Sequence, residues 1–116
     1  RKSDLDAATD WGVQFFTGRD VYQTGLSAAI NAVPEGANVI LAIDVDGIDP
    51  TVVPGVILPA FGGLTYQDML ELIHGVAARA NIVGADFVEF VPEQDPTGRG
   101  AQAIARLVSN VIAASQ

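Results

Sequence analysis

Three carboxylates fall within six residues at Asp44-Val45-Asp46-Gly47-Ile48-Asp49, directly after the apolar run Val39-Ile40-Leu41-Ala42-Ile43. Such a run reads as a buried parallel strand. Alternate side chains of a strand share a face, so Asp44 and Asp46 are expected to point the same way. Carboxylates held together at a strand end repel, and raise one another's pKa unless a cation neutralises them. One Asp at this place would suit a turn or a helix cap. The pair at i and i+2, followed by Gly47 and a third Asp, favours a metal site. Oxygen donors suit Mg, Mn or Ca better than Zn. The EF-hand pattern does not fit, because its sixth and twelfth positions hold Asp49 and Gly55 instead of Gly and Glu.

A second acidic group, Asp86-Phe87-Val88-Glu89, closes the apolar segment that begins at Asn81. Asp86 lies within that segment, where an unpaired carboxylate is costly, so a fixed partner is expected for it. Glu89 ends the segment at the same rim as the Asp pair. It can bind a guanidinium through two parallel hydrogen bonds, or pair with Arg99. Asp49 precedes Pro50 and reads as a turn former or as a support for the pair. The single histidine, His74, sits on a helix far from any strand end and reads as structural. No phosphate-cradling glycine motif and no nucleophile elbow is present.

Positioning these groups requires alternating helices and strands. Ser3 can cap a helix through about Trp11, which Gly12 ends. Val13 to Thr17 is a strand candidate, and Thr24 to Val33 has helical spacing that stops at Pro34. Val39 to Ile43 is the next strand. A long connection rich in Pro and Gly leads to Thr65, which with Asp68 resembles a capping box for a helix to about Arg79. Asn81 to Val88 is a strand, Glu89 to Gly98 a loop, and Gly100 to Ala114 a helix with Ala103, Leu107, Val111 and Ala114 on one stripe. Helical connections imply parallel strands with right-handed crossovers. The expected fold class is α/β, a parallel sheet with helices on both faces and about three strands, in one segment spanning residues 1–116. In open sheets of this kind ligands bind beyond the carboxyl ends of the strands, where both acidic groups fall.

The bulk numbers agree. Hydrophobic residues make up 49% and charged residues 17%, an ordinary globular balance. The net charge of −8 disfavours nucleic-acid binding and suits a cationic ligand. Without cysteine there is neither a disulfide nor a thiolate metal site. No membrane span or signal peptide is recognised, so a cytoplasmic protein is the default expectation. The chain begins with Arg, as a trimmed product or a piece of a longer protein would.

Ala42 through Pro50, Pro54-Gly55, Pro59, Gly62-Gly63-Leu64-Thr65, and Val83 through Glu89 with Pro92 together resemble the signature of the arginase/agmatinase ureohydrolases. Phe16-Thr17-Gly18-Arg19-Asp20-Val21 and Gly25 resemble the agmatinase-type segment upstream. The resemblance covers nearly the whole chain and matches the C-terminal part of that family's three-layer α/β/α domain. It implies hydrolysis of a small cationic guanidino compound, agmatine-like, to urea and an amine. It implies a binuclear Mn2+ centre with Asp44 and Asp46 as ligands and Glu89 as the substrate carboxylate; Asp86 and Asp49 are read from their own positions as supporting residues. The family's G-G-D-H and D-A-H-x-D elements are absent, and its polar P-G-T-G-T-P loop is replaced by Pro54-Gly55-Val56-Ile57-Leu58-Pro59. No catalytic residue is therefore assigned within this segment, and the isolated chain is expected not to turn over. The alternative is a non-catalytic, truncated or diverged module with at most a weak divalent site. A cut parallel sheet also leaves an edge that seeks the rest of the domain or a second copy, giving an oligomer.

Overall fold

The two longest apolar runs become adjacent parallel strands. In a computed structural model describing residues 1–116, the order is α1 (Lys2–Asp10), α2 (Gly18–Thr24), α3 (Ser27–Ala32), β1 (Asn38–Asp44), α4 (Tyr66–Ala77), β2 (Asn81–Val88) and α5 (Arg99–Ala114). Single 3-10 turns occupy Val45–Gly47 and Pro92–Gln94. β1 and β2 pair in register from Asn38 opposite Asn81 to Asp44 opposite Val88. One irregularity interrupts the ladder: Val39 faces Ile82 and Ile40 faces Gly84, so Val83 has no partner.

One face of this sheet carries the core. Ile43 and Ile82 pack with Met69, Ile73 and Val76 of α4 and with Leu107 and Val111 of α5, while Val39, Leu41 and Phe87 close the margin. α4 starts where the sequence signals it. Thr65 Oγ1 accepts the Asp68 N–H at 3.1 Å, and the Asp68 carboxylate accepts the Thr65 N–H at 2.8 Å. The exposed His74 is structural as expected, its Nε2 lying 3.0 Å from Asn110 Oδ1 across the α4–α5 contact. The opposite face, with Ile40, Ala42, Asp44, Gly84, Asp86 and Val88, carries no helix of this chain, and Ile40 is 70% exposed.

Two expected elements differ. Val13 to Thr17 is not a strand; it lies on the surface between α1 and α2 with no ladder partner. Strand preference is expressed only where neighbouring backbone and packing are available, and the chain offers that segment neither. The sheet accordingly has two strands. The helix expected over Thr24 to Val33 is divided, because Gly25 takes φ 78° and ends α2 before α3 begins.

The connection from Ile48 to Leu64 is a structural part of the core. Ile48, Val53 and Val56 are buried within it, each contributing about 1.5–3 kcal/mol by leaving water. Its ends meet in a parallel bridge, Ile48 with Leu64. Asp95, the one buried charged residue, fixes the start of α5: its carboxylate accepts the Gly100 N–H at 3.1 Å and the Ala101 N–H at 2.8 Å. These are backbone donors that a helix start leaves without partners. Replacing Asp95 by Ala should lower stability by about 1–2 kcal/mol, and Asp95→Asn by less. Urea unfolding checks this: the midpoint should fall with the slope unchanged.

Candidate active site

β1 stops at Asp44 and does not run on through Asp46. The Asp44 carboxylate accepts the Asp46 N–H at 3.2 Å and opens the 3-10 turn, whose Val45 is wholly buried. The Asp pair is therefore joined by a turn, and not by strand alternation as expected from the sequence. Strand pairing brings the third carboxylate: Asp44 lies opposite Val88, and Glu89 follows at once. The Asp46 carboxyl is pushed up from its ordinary value, first by partial burial, then by the Asp44 charge and hydrogen bond, then by the Glu89 charge. A cation arriving at this rim would relieve that repulsion.

Glu89 is the only non-glycine residue with positive φ, at 67°. A side chain held in that region costs on the order of 1 kcal/mol and persists only where the surroundings impose it. Here the parallel ladder behind it and the Val91 N–H, bonded to the Gly55 carbonyl at 2.7 Å, impose the bend. Glu89 does not pair with Arg99, since the only ion pairs are the Arg1 amino group with Asp4 and Lys2 with Asp6. Asp86 departs from expectation. It is exposed, makes no hydrogen bond and lies opposite Ala42, because it belongs to the sheet face that no helix of this chain covers.

Asp49 ties the long connection together behind the pair. Its carboxylate accepts from Thr51 N–H at 2.9 Å, Thr51 Oγ1 at 2.6 Å and Gly62 N–H at 3.0 Å. The Thr51 hydroxyl and amide, then the Gly62 amide, hold its carboxyl below the ordinary 3.8. Its own N–H donates to the Leu64 carbonyl, and the Leu64 N–H donates to that of Gly47. Gly63 is required by this closeness: a Cβ there would stand 2.6 Å from the Gly47 carbonyl oxygen and 2.8 Å from the Asp49 nitrogen.

The donor chemistry fits a metal only in part. No three or more His, Cys, Asp or Glu residues converge anywhere to hold an ion. Asp44 and Asp46 offer hard oxygen donors, and this chain leaves their shell incomplete. His74 stands on α4, away from the rim. Sequence reasoning missed three features: Asp95, the Thr17–Asp20 capping box at α2, and the bend at Glu89. The first two had readable signals, a T-x-x-D spacing and an acid preceding a helix start.

The fold and rim define an α/β protein of the kind whose ligands lie beyond the carboxyl ends of parallel strands. The chain belongs to the arginase family, whose model matches residues 1–114. It is 42% identical over 76 residues to mitochondrial arginase 1 of Arabidopsis thaliana, covering 65% of this chain and 22% of that protein. It is 32% identical over 91 residues to the N(1)-aminopropylagmatine ureohydrolase of Thermus thermophilus, covering 78% and 31%. Among solved structures, the agmatine ureohydrolase of Thermoplasma volcanium superposes with a TM-score of 0.77 at 34% identity, over 89% of this chain and 34% of that one. The proclavaminate amidino hydrolase of Streptomyces clavuligerus gives 0.87 at 25% identity, over 96% and 39%. The chain thus spans under a third of the length of these two sequence relatives. No helix is long and apolar enough to cross a membrane.

Two outcomes follow from this geometry. Glu89→Gly removes the backbone strain but adds glycine's unfolded-state freedom, so stability should stay level or rise by up to about 1 kcal/mol. A clear loss in chemical unfolding would contradict the strain. For Asp49, the folded pKa is lowered, so the unfolded state binds more protons between that value and 3.8. Its contribution is complete above 3.8 and disappears as pH falls through the lowered folded value. Thermal midpoints of wild type and Asp49→Asn should therefore differ near neutral pH and converge as pH falls through that lowered value.

Proposed function

We propose that this chain is the metal- and guanidinium-binding segment of a ureohydrolase. The observation that carries the reading is the β1–β2 register, which sets Glu89 beside the turn bearing Asp44 and Asp46. Asp44 and Asp46 would be two ligands of a manganese pair, the remaining ligands coming from outside these residues. The ions, when bound, supply a water acidified enough to attack at neutral pH.

The residues of this chain do the holding. Glu89 accepts two parallel N–H donations from a guanidinium, fixing its plane. Its forced backbone conformation limits how far that carboxylate can swing. Asp49 keeps the connection closed behind the Asp pair, so the turn does not relax as carboxylates repel. Hydrolysis then breaks the bond between the guanidinium carbon and the amine nitrogen, yielding urea and a protonated amine. Asp86, exposed beside Asp44 on the uncovered face, would support the site once that face is covered. The compartment is proposed to be the cytoplasm.

The full-length gene product loaded with Mn2+ should release urea from at least one of agmatine, 4-guanidinobutyrate and arginine. No urea from any guanidino compound would end the reading. Asp46→Asn separates binding from folding. It removes a charge that both Asp44 and Glu89 disfavour, so the metal-free protein should melt at a higher temperature than wild type. The same variant should lose Mn2+-induced thermal stabilisation and at least about 100-fold in activity, more than is typical of residues that merely support a ligand.

A second reading rests on the absence of any converging group of three ligands. In it the chain is a non-catalytic module with a weak divalent site. Mn2+ stabilisation of the isolated chain by several degrees, without urea release by the full-length product, would favour it.

A further inference from the structure

From Val52 to Leu64 thirteen consecutive residues carry no polar side chain. The path of the middle of this segment is set at both ends. The Gly55 carbonyl accepts the N–H of Val91, two residues beyond Glu89, and the Ala60 N–H donates to the Asp46 carbonyl at 3.3 Å. Residues 56–59 therefore bridge the strand end bearing Glu89 and the turn bearing Asp46. Val53 and Val56 are buried beneath, and Gly55 is pressed so closely that a Cβ there would lie 2.8 Å from the Phe90 ring. Pro54 and Pro59 fix φ at either side. The bridge is thus stiff, and it is not a lid.

On this stiff bridge Ile57 is 65% and Leu58 74% exposed. Two branched aliphatic side chains are thus mostly exposed on the stretch of chain that joins two carboxylate-bearing segments. We infer that Ile57 and Leu58 form an apolar wall of the guanidinium site and select guanidinium compounds carried on an apolar chain. This rests on the reading of Glu89 as the guanidinium carboxylate. The wall offers no donor or acceptor side chain to an α-amino or α-carboxylate group, so burying a zwitterionic tail against it leaves that tail's polar groups without partners. Each methylene placed against it should tighten binding by up to about fourfold.

The test is calorimetric titration of the Mn2+-loaded full-length product with methylguanidinium, n-butylguanidinium and arginine, in wild type, Glu89→Gln and Ile57→Ser/Leu58→Ser. The expected result is that n-butylguanidinium binds at least about tenfold tighter than methylguanidinium. The double Ser variant should bring the two within about twofold, at unchanged melting temperature and unchanged methylguanidinium affinity. Ile57→Val/Leu58→Met, which keeps the wall apolar, should retain the selectivity. Methylguanidinium binding that depends on Glu89, with no preference for the butyl chain or a preference that survives the double Ser variant, overturns the wall and leaves the function standing. No binding of any guanidinium compound, or binding that Glu89→Gln leaves unchanged, removes the underlying reading and the wall with it.

Discussion

Parallel pairing of β1 with β2 is the constraint on which the rest depends. It places two strand ends at one rim, and because those ends are acidic, it concentrates negative charge there. A parallel pair needs a crossover, and α4 with its preceding connection supplies it. The crossover also delivers core residues, since Ile48, Val53 and Val56 enter before α4 begins. Support for the rim and closure of the core are thus parts of the same stretch of chain.

The rim is held against its own chemistry. Asp46 is kept where partial burial and the charges of Asp44 and Glu89 all disfavour its ionised form, and Glu89 sits on strained backbone. Neither feature helps the chain fold. Opposing them are the three hydrogen bonds to the Asp49 carboxylate and the reciprocal backbone bonds between Gly47, Asp49 and Leu64. Stiffness behind the rim is what lets an unfavourable arrangement persist in front of it.

Much of this was legible in the sequence, and the failures share a cause. β2 was read to its exact residues, and α4 and α5 to within two residues, because their signals are local: apolar periodicity and the Thr65–Asp68 box. The arginase-family resemblance was legible from the D-x-D-G-x-D-P spacing, and the family model agrees. Val13 to Thr17, the helix over Thr24 to Val33 and the partner expected for Asp86 failed where the outcome depends on what stands alongside. Two apolar phenylalanines do not make a strand without a neighbour, and an acid within an apolar run is not buried if its face is open. The turn joining Asp44 to Asp46 was missed because strand and 3-10 turn both set residues i and i+2 near one another. The metal ligation, the role of Glu89 and the supporting roles of Asp49 and Asp86 rest on inference from the rim.

The unpaired Val83 has a consequence for the whole second half of its strand. Ile82 and Phe87 both meet the helices, although they are five positions apart, an odd interval that strict alternation would send to opposite sides. The extra residue between Ile82 and Gly84 inverts the parity once, so everything after it is turned over relative to what precedes it. Without that inversion Asp86 would be driven among the helices and Phe87 cast into water. The count of residues in β2, as much as their identity, thus decides that its acid faces outward.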